Sequence, residues 1–206
     1  FGFLRMLIEK NLTVKLDGLV AIAVAVETKV EGVTDASEAL THFFFDRLRV
    51  MMREAGYSAQ EVDAVLAKHD TDLAQTPKKL AAVHKFMQLP ESASLAAANK
   101  RIANILKKSA DVQTGEVDDA LLVEEAEKKL YDVLGDHEPI AKLFFEKGEY
   151  EGMLATLTPL KDPVDAFFAD VMVNSEDEKL RLNRLALLKR LYALMNRVAE
   201  LSRLAI

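Results

Sequence analysis

The run Lys179-Leu-Arg-Leu-Asn-Arg-Leu-Ala-Leu-Leu-Lys-Arg-Leu-Tyr-Ala-Leu-Met-Asn-Arg-Val198 decides the fold class. At about 100° per residue, Leu180, Leu187, Leu191, Leu194, Met195 and Val198 line up as one apolar stripe, continued by Leu201. Lys179, Arg181, Lys189, Arg190, Arg197 and Arg203 fall on the other side. This is the signature of a long amphipathic helix. Arg184 breaks the pattern by lying inside the stripe, near Leu180, Leu187 and Leu191. A buried guanidinium requires a carboxylate or several carbonyls, so Arg184 is expected to be a structural pin rather than a ligand contact.

Working outward, the rest of the chain is punctuated for helices and almost nothing reads as strand. Asp35-Ala-Ser-Glu38 and Ser58-Ala-Gln-Glu61 have the spacing of capping boxes, and Gly56 sits where a left-handed C-terminal residue is expected. Thr76-Pro77 opens a helix to about Gln88, and Leu89-Pro90 closes it, because a residue before proline avoids the α region. Another helix starts near Glu91. Residues 119–134 read as a helix stopped by Gly135, and residues 139–147 as a separate piece. Asp162-Pro163 opens a short helix through Phe167 and Phe168, and Ser175 is placed to cap the last one. The expectation is an all-α protein of about nine or ten helices. The Leu89-Pro90-Glu91 break divides it into two helical units, residues 1–91 and 92–206.

Composition narrows the class. Half of the 206 residues are hydrophobic and 29% are charged, which fits a globular chain and excludes disordered and collagen-like ones. With no cysteine, neither a disulfide framework nor a thiolate metal site is available, in keeping with a cytoplasmic protein. The longest apolar run, residues 19–26, falls far short of the roughly 20 residues that span a bilayer. The chain opens Phe1-Gly2-Phe3-Leu4 without an initiator Met and reads as part of a longer polypeptide.

Charge is distributed unevenly. Residues 179–206 hold seven Lys or Arg against one acid, and residues 92–110 carry Lys100, Arg101, Lys107 and Lys108 with no acid at all. Residues 111–178 hold 19 acids and five Lys, so the net charge of −6 conceals two cationic strips on an anionic body. Such a body attracts a polyanion at one place and repels it elsewhere. On the first strip Lys100, Asn104 and Lys107 line up outward, flanked by Arg101 and Lys108, while Leu95, Ala98, Ile102, Ile105 and Leu106 face inward. The pattern suits RNA, with cations for phosphates, an amide for a base edge, and arginine for stacking. The candidate RNA-binding residues are Asn99, Lys100, Arg101, Asn104, Lys107, Lys108, Arg181, Lys189, Arg190 and Arg197. A solvated helix face, or a scaffold docking on an acidic partner, is the competing reading.

Catalytic equipment is sparse. There is no glycine-rich phosphate loop and no nucleophile elbow. His69-Asp70, with His42 upstream, is the only arrangement with a metal-dependent phosphohydrolase flavour, and it lacks the flanking context. The paired aromatics Phe43-Phe44-Phe45, Phe144-Phe145 and Phe167-Phe168 cannot all point into one core.

Several long segments resemble a known family. Ala97-Ala-Asn-Lys-Arg-Ile-Ala-Asn-Ile-Leu106, Val164-Asp-Ala-Phe-Phe-Ala-Asp-Val-Met-Val173 and Asn183-Arg-Leu-Ala-Leu-Leu188 are similar, in order and spacing, to the C-terminal region of bacterial glycyl-tRNA synthetase β subunits. Leu4-Arg-Met-Leu-Ile-Glu9, Ala55-Gly-Tyr-Ser-Ala59 and Val62-Asp-Ala-Val-Leu66 extend the resemblance over essentially the whole chain. It implies a helical anticodon-binding domain of the DALR, arginyl-tRNA-synthetase-like type over residues 92–206, preceded by helices of the subunit's body. It further implies tRNA(Gly) as ligand, and an α2β2 enzyme whose α subunit activates glycine with ATP and Mg. This chain is then expected to hold no cofactor, no metal, no catalytic centre and no membrane anchor.

Overall fold

The computed structural model describes residues 2–27 and 35–205, and among these there are ten α-helices and no strand. They are α1 (Gly2–Glu9), α2 (Leu16–Glu27), α3 (Ser37–Glu54), α4 (Ala59–Leu66), α5 (Thr76–Phe86), α6 (Ser92–Lys108), α7 (Glu125–Glu146), α8 (Tyr150–Ala155), α9 (Lys161–Asp170) and α10 (Glu178–Met195), with a C-terminal 3-10 turn at Leu201–Leu204. The all-α expectation holds. No described helix is long and apolar enough to cross a membrane.

Local chemistry sets most boundaries. The Ser58 hydroxyl accepts from the Glu61 amide while the Ser58 amide donates to the Glu61 carboxylate, closing the expected box on α4. Gly56 has φ +100°, the left-handed conformation that glycine adopts without a Cβ penalty. Three signals resolve differently. Asp35 accepts from the Ser37 amide but closes no box, and α3 begins at Ser37. The cap of α10 is Asp177, whose carboxylate accepts from the Lys179 and Leu180 amides; Ser175 instead accepts from the Asp177 amide. The third is α7, which runs unbroken through both Gly135 and Pro139. A proline ring crowds the carbonyl four residues earlier, and that residue is Gly135, where the backbone has most freedom to yield. The predicted stop and restart are therefore one helix.

Packing crosses the Leu89-Pro90 turn. α4 and α5 lie against each other, α5 against α8, and α4 against the C-terminal turn, where the Glu200 amide donates to the Ala64 carbonyl at 2.8 Å. α7 touches α8, α9 and α10, and α6 rests on α9, α10 and Leu201–Leu204. One contiguous cluster of buried apolar side chains runs from Leu4 to Leu204.

α10 departs from its wheel. Residues 183–188 are buried without interruption, so this is a central helix surrounded by neighbours, not a half-exposed one with a free cationic face. Arg184 sits as expected, 5% exposed, with Nε donating to Glu127 Oε1 at 2.5 Å and a terminal nitrogen to the Met172 carbonyl at 2.7 Å. The other Glu127 oxygen accepts from the Val123 and Glu124 amides. One buried ion pair thereby joins the start of α7, the segment after α9, and α10.

Candidate nucleic-acid interface

α6 presents the exposed cations. Lys100, Arg101, Asn104, Lys107 and Lys108 are all solvent-exposed, while Leu95, Ala96 and Ile102 are buried on the opposite side. Ile105 and Leu106, expected to face inward, are half-buried at its C-terminal end.

Asn99 corrects the sequence reading. It is completely buried, and neither its side-chain oxygen nor its nitrogen has a protein partner, so it cannot meet RNA on the surface. It lies one turn from both Leu95 and Ile102, on the apolar side of the helix, because residues three and four apart share a face.

The second strip does different work. Arg190 donates through Nε and a terminal nitrogen to Glu138 Oε2 at 3.0 and 2.8 Å and lies over the Tyr131 ring at 5.2 Å; it is held by α7 rather than free for a phosphate. Arg181 is half-buried and 3.6 Å from Glu178, and Arg197 is half-buried over the Phe145 ring at 5.9 Å. Lys189 is exposed, its ammonium 3.4 Å from the Val112 carbonyl. Lys189 and Arg190 edge an open cavity of about 530 Å³ together with Glu116, Tyr131 and Glu138. Two carboxylates there oppose the two cations, so the cavity has no net attraction for phosphate.

Sequence reasoning did not foresee what lies beside α6. The Arg101 guanidinium covers the Phe168 ring of α9 at 4.2 Å, and both border an open groove of about 390 Å³ with Ser94, Ala97 and Asp165. Asp165 accepts from the Ser94 hydroxyl at 3.0 Å and lies 3.1 Å from the Lys161 ammonium. Phe167 is fully buried and Phe168 half-buried, so their adjacency was the one available signal.

Elsewhere, His69 is exposed with φ 49° and its ring faces Phe45, while Asp70 accepts from Lys79 and from the Asp72 amide. Among the described residues no three His, Cys, Asp or Glu side chains converge as a metal-binding group.

Residues 95–201 match the family described as DALR anticodon binding domain. The whole chain is similar to part of several proteins named glycine–tRNA ligase beta subunit. It is 53% identical over 206 residues to one from an Acidovorax species, covering all of this chain and 28% of that protein. It is 53% identical over 204 residues to one from Leptothrix cholodnii, and 50% identical over 204 residues to one from Dechloromonas aromatica. These two alignments cover 99% of this chain and 28% and 29% of the respective relatives. The chain thus spans somewhat over a quarter of the length of the relatives it matches.

Proposed function

The chain belongs to the DALR anticodon-binding domain family, and on that premise we propose that it grips the anticodon arm of tRNA(Gly) as the RNA-reading, non-catalytic part of a cytoplasmic glycine–tRNA ligase β subunit. The observation that carries this reading is the exposed row on α6, four cations and one carboxamide with no acid on the helix, within the matched span. Lys100, Lys107 and Lys108 engage phosphates, which fixes register without sequence information. Asn104, between cations, both donates to and accepts from a base edge of an unpaired loop. Activation of glycine with ATP and Mg is assigned to an α subunit, in an α2β2 assembly with a second β subunit.

The test is footprinting of tRNA(Gly) by the protein, with nuclease-treated samples alongside. Protection confined to the anticodon arm supports the reading. Absence of protection, with retained binding to a protein partner after nuclease treatment, replaces it with a scaffold that docks on an acidic surface.

A further inference from the structure

We propose that the groove between α6 and α9 seats one unpaired RNA base, stacked on the Arg101–Phe168 pair and read by Asp165. This rests on the anticodon-arm reading above and specifies a subsite within it.

Three features carry the proposal. First, the Arg101 guanidinium carbon lies 4.2 Å from the Phe168 ring centroid, against 5.1–5.9 Å for the other cation–ring contacts described. A guanidinium held by an aromatic ring keeps its second planar face for another π-system, and unpaired bases stack on arginine planes. Arg101 is exposed and borders the groove. Second, the groove holds a hydrogen-bond acceptor. Asp165 stands in it 47% exposed, and a carboxylate accepts from an exocyclic amino group. Its bonds from Ser94 and Lys161 fix its orientation and leave acceptor capacity, since a carboxylate offers about four lone-pair sites. Third, the groove adjoins the cationic row. Ala97, Arg101, Asn104 and Lys108 succeed one another at three- and four-residue spacing along α6, so a strand whose phosphates follow Lys100, Lys107 and Lys108 passes the groove's edge. The favoured base therefore carries an exocyclic amino group: cytosine, adenine or guanine rather than uracil.

The experiment uses the β subunit in its intact ligase and tRNA(Gly) with 2-aminopurine or pyrrolocytosine placed singly at each anticodon-loop position. Stacking on Arg101 quenches the probe at one position. Arg101→Lys keeps the charge and loses the plane: it is expected to abolish that quench and weaken binding about tenfold, as for removal of one base–side chain stack, with the salt dependence unchanged. Phe168→Leu, which removes the ring supporting the guanidinium, is expected to act in the same direction. Asp165→Asn is expected to erase the preference for an amino-bearing base over uracil at that position. If Arg101→Lys quenches and binds as the parent does, the stacking subsite is overturned while anticodon-arm binding stands. If Asp165→Asn keeps the preference, the base-reading role of Asp165 is overturned. Where the parent protects no part of the anticodon arm, the broader reading fails and the subsite with it.

Discussion

Replacing Arg184 with alanine tests the packing scheme at its most constrained point. The Arg184 and Glu127 side chains are 6% and 0% exposed, so the substitution leaves a carboxylate buried without its cation. Breaking such a pair from one side costs about 3–5 kcal/mol, because one desolvated charge loses its compensation. Glu127 retains hydrogen bonds from the Val123 and Glu124 amides at 3.0 and 2.8 Å, which places the expected loss toward the lower end. For a chain of this size each kcal/mol moves the melting temperature by about 2–4 °C, so a loss of about 3 kcal/mol lowers it by about 6–12 °C, read by circular dichroism. The double variant Arg184→Met with Glu127→Leu removes both charges and should recover most of this. The recovery stays incomplete because Glu127 also closes the capping box of α7, a contribution of about 1 kcal/mol. A cycle of the two single variants and the double one isolates the coupling. An Arg184→Ala protein that melts with the parent but no longer binds tRNA would refute the reasoning and make Arg184 a ligand contact.

Further perturbations address the surface and the caps. Lys100→Ala or Lys107→Ala should weaken binding to any tRNA and reduce the salt slope by about 0.7–0.9 for each phosphate no longer neutralised, read from titrations in increasing salt. Asn104→Ala should leave that slope unchanged and cost about 1–3 kcal/mol of preference for tRNA(Gly) over an anticodon variant, by analogy with removal of a base-edge hydrogen bond; equal discrimination would reduce the α6 row to an electrostatic landing surface. Asn99→Leu should melt at or above the parent temperature and bind RNA normally, since an unpartnered buried amide costs about 1–3 kcal/mol; diminished binding at unchanged stability would contradict its buried placement. Burial pushes the Glu61 carboxyl up, but hydrogen bonds from Ser58 and from His84 at 2.7 Å outweigh it and hold the carboxyl below its ordinary value. That stabilisation is complete above the ordinary value and is lost as pH falls through the depressed one, so Glu61→Gln should flatten the acid limb of a stability–pH profile.

What the chain discloses before folding is governed by how far apart the deciding residues are. Arg184 is legible because three- and four-residue spacing puts it among leucines and a buried charge needs a partner; that the partner is Glu127, 57 positions away, is not. Ser58 and Glu61 are legible because both halves of the box lie within one turn. Pro139 misleads because helix-breaking rules treat proline alone, whereas the outcome depends on the residue four positions back being Gly135. Asn99 misleads in another way: its polar character suggests a surface role, while its spacing from Leu95 and Ile102 places it inside. The two cationic strips look equivalent on a wheel because a wheel has no neighbours. Once α7 supplies Glu138 to Arg190 and Glu127 to Arg184, and α10 becomes the centre of the bundle, those two cations are paired by the fold, while the row on α6 stays exposed. Packing of α9 against α6 brings the Phe168 ring within 4.2 Å of the Arg101 guanidinium, a neighbour that a wheel does not show. The difference in exposure between the strips is thus a consequence of tertiary packing, which helical periodicity constrains but does not determine.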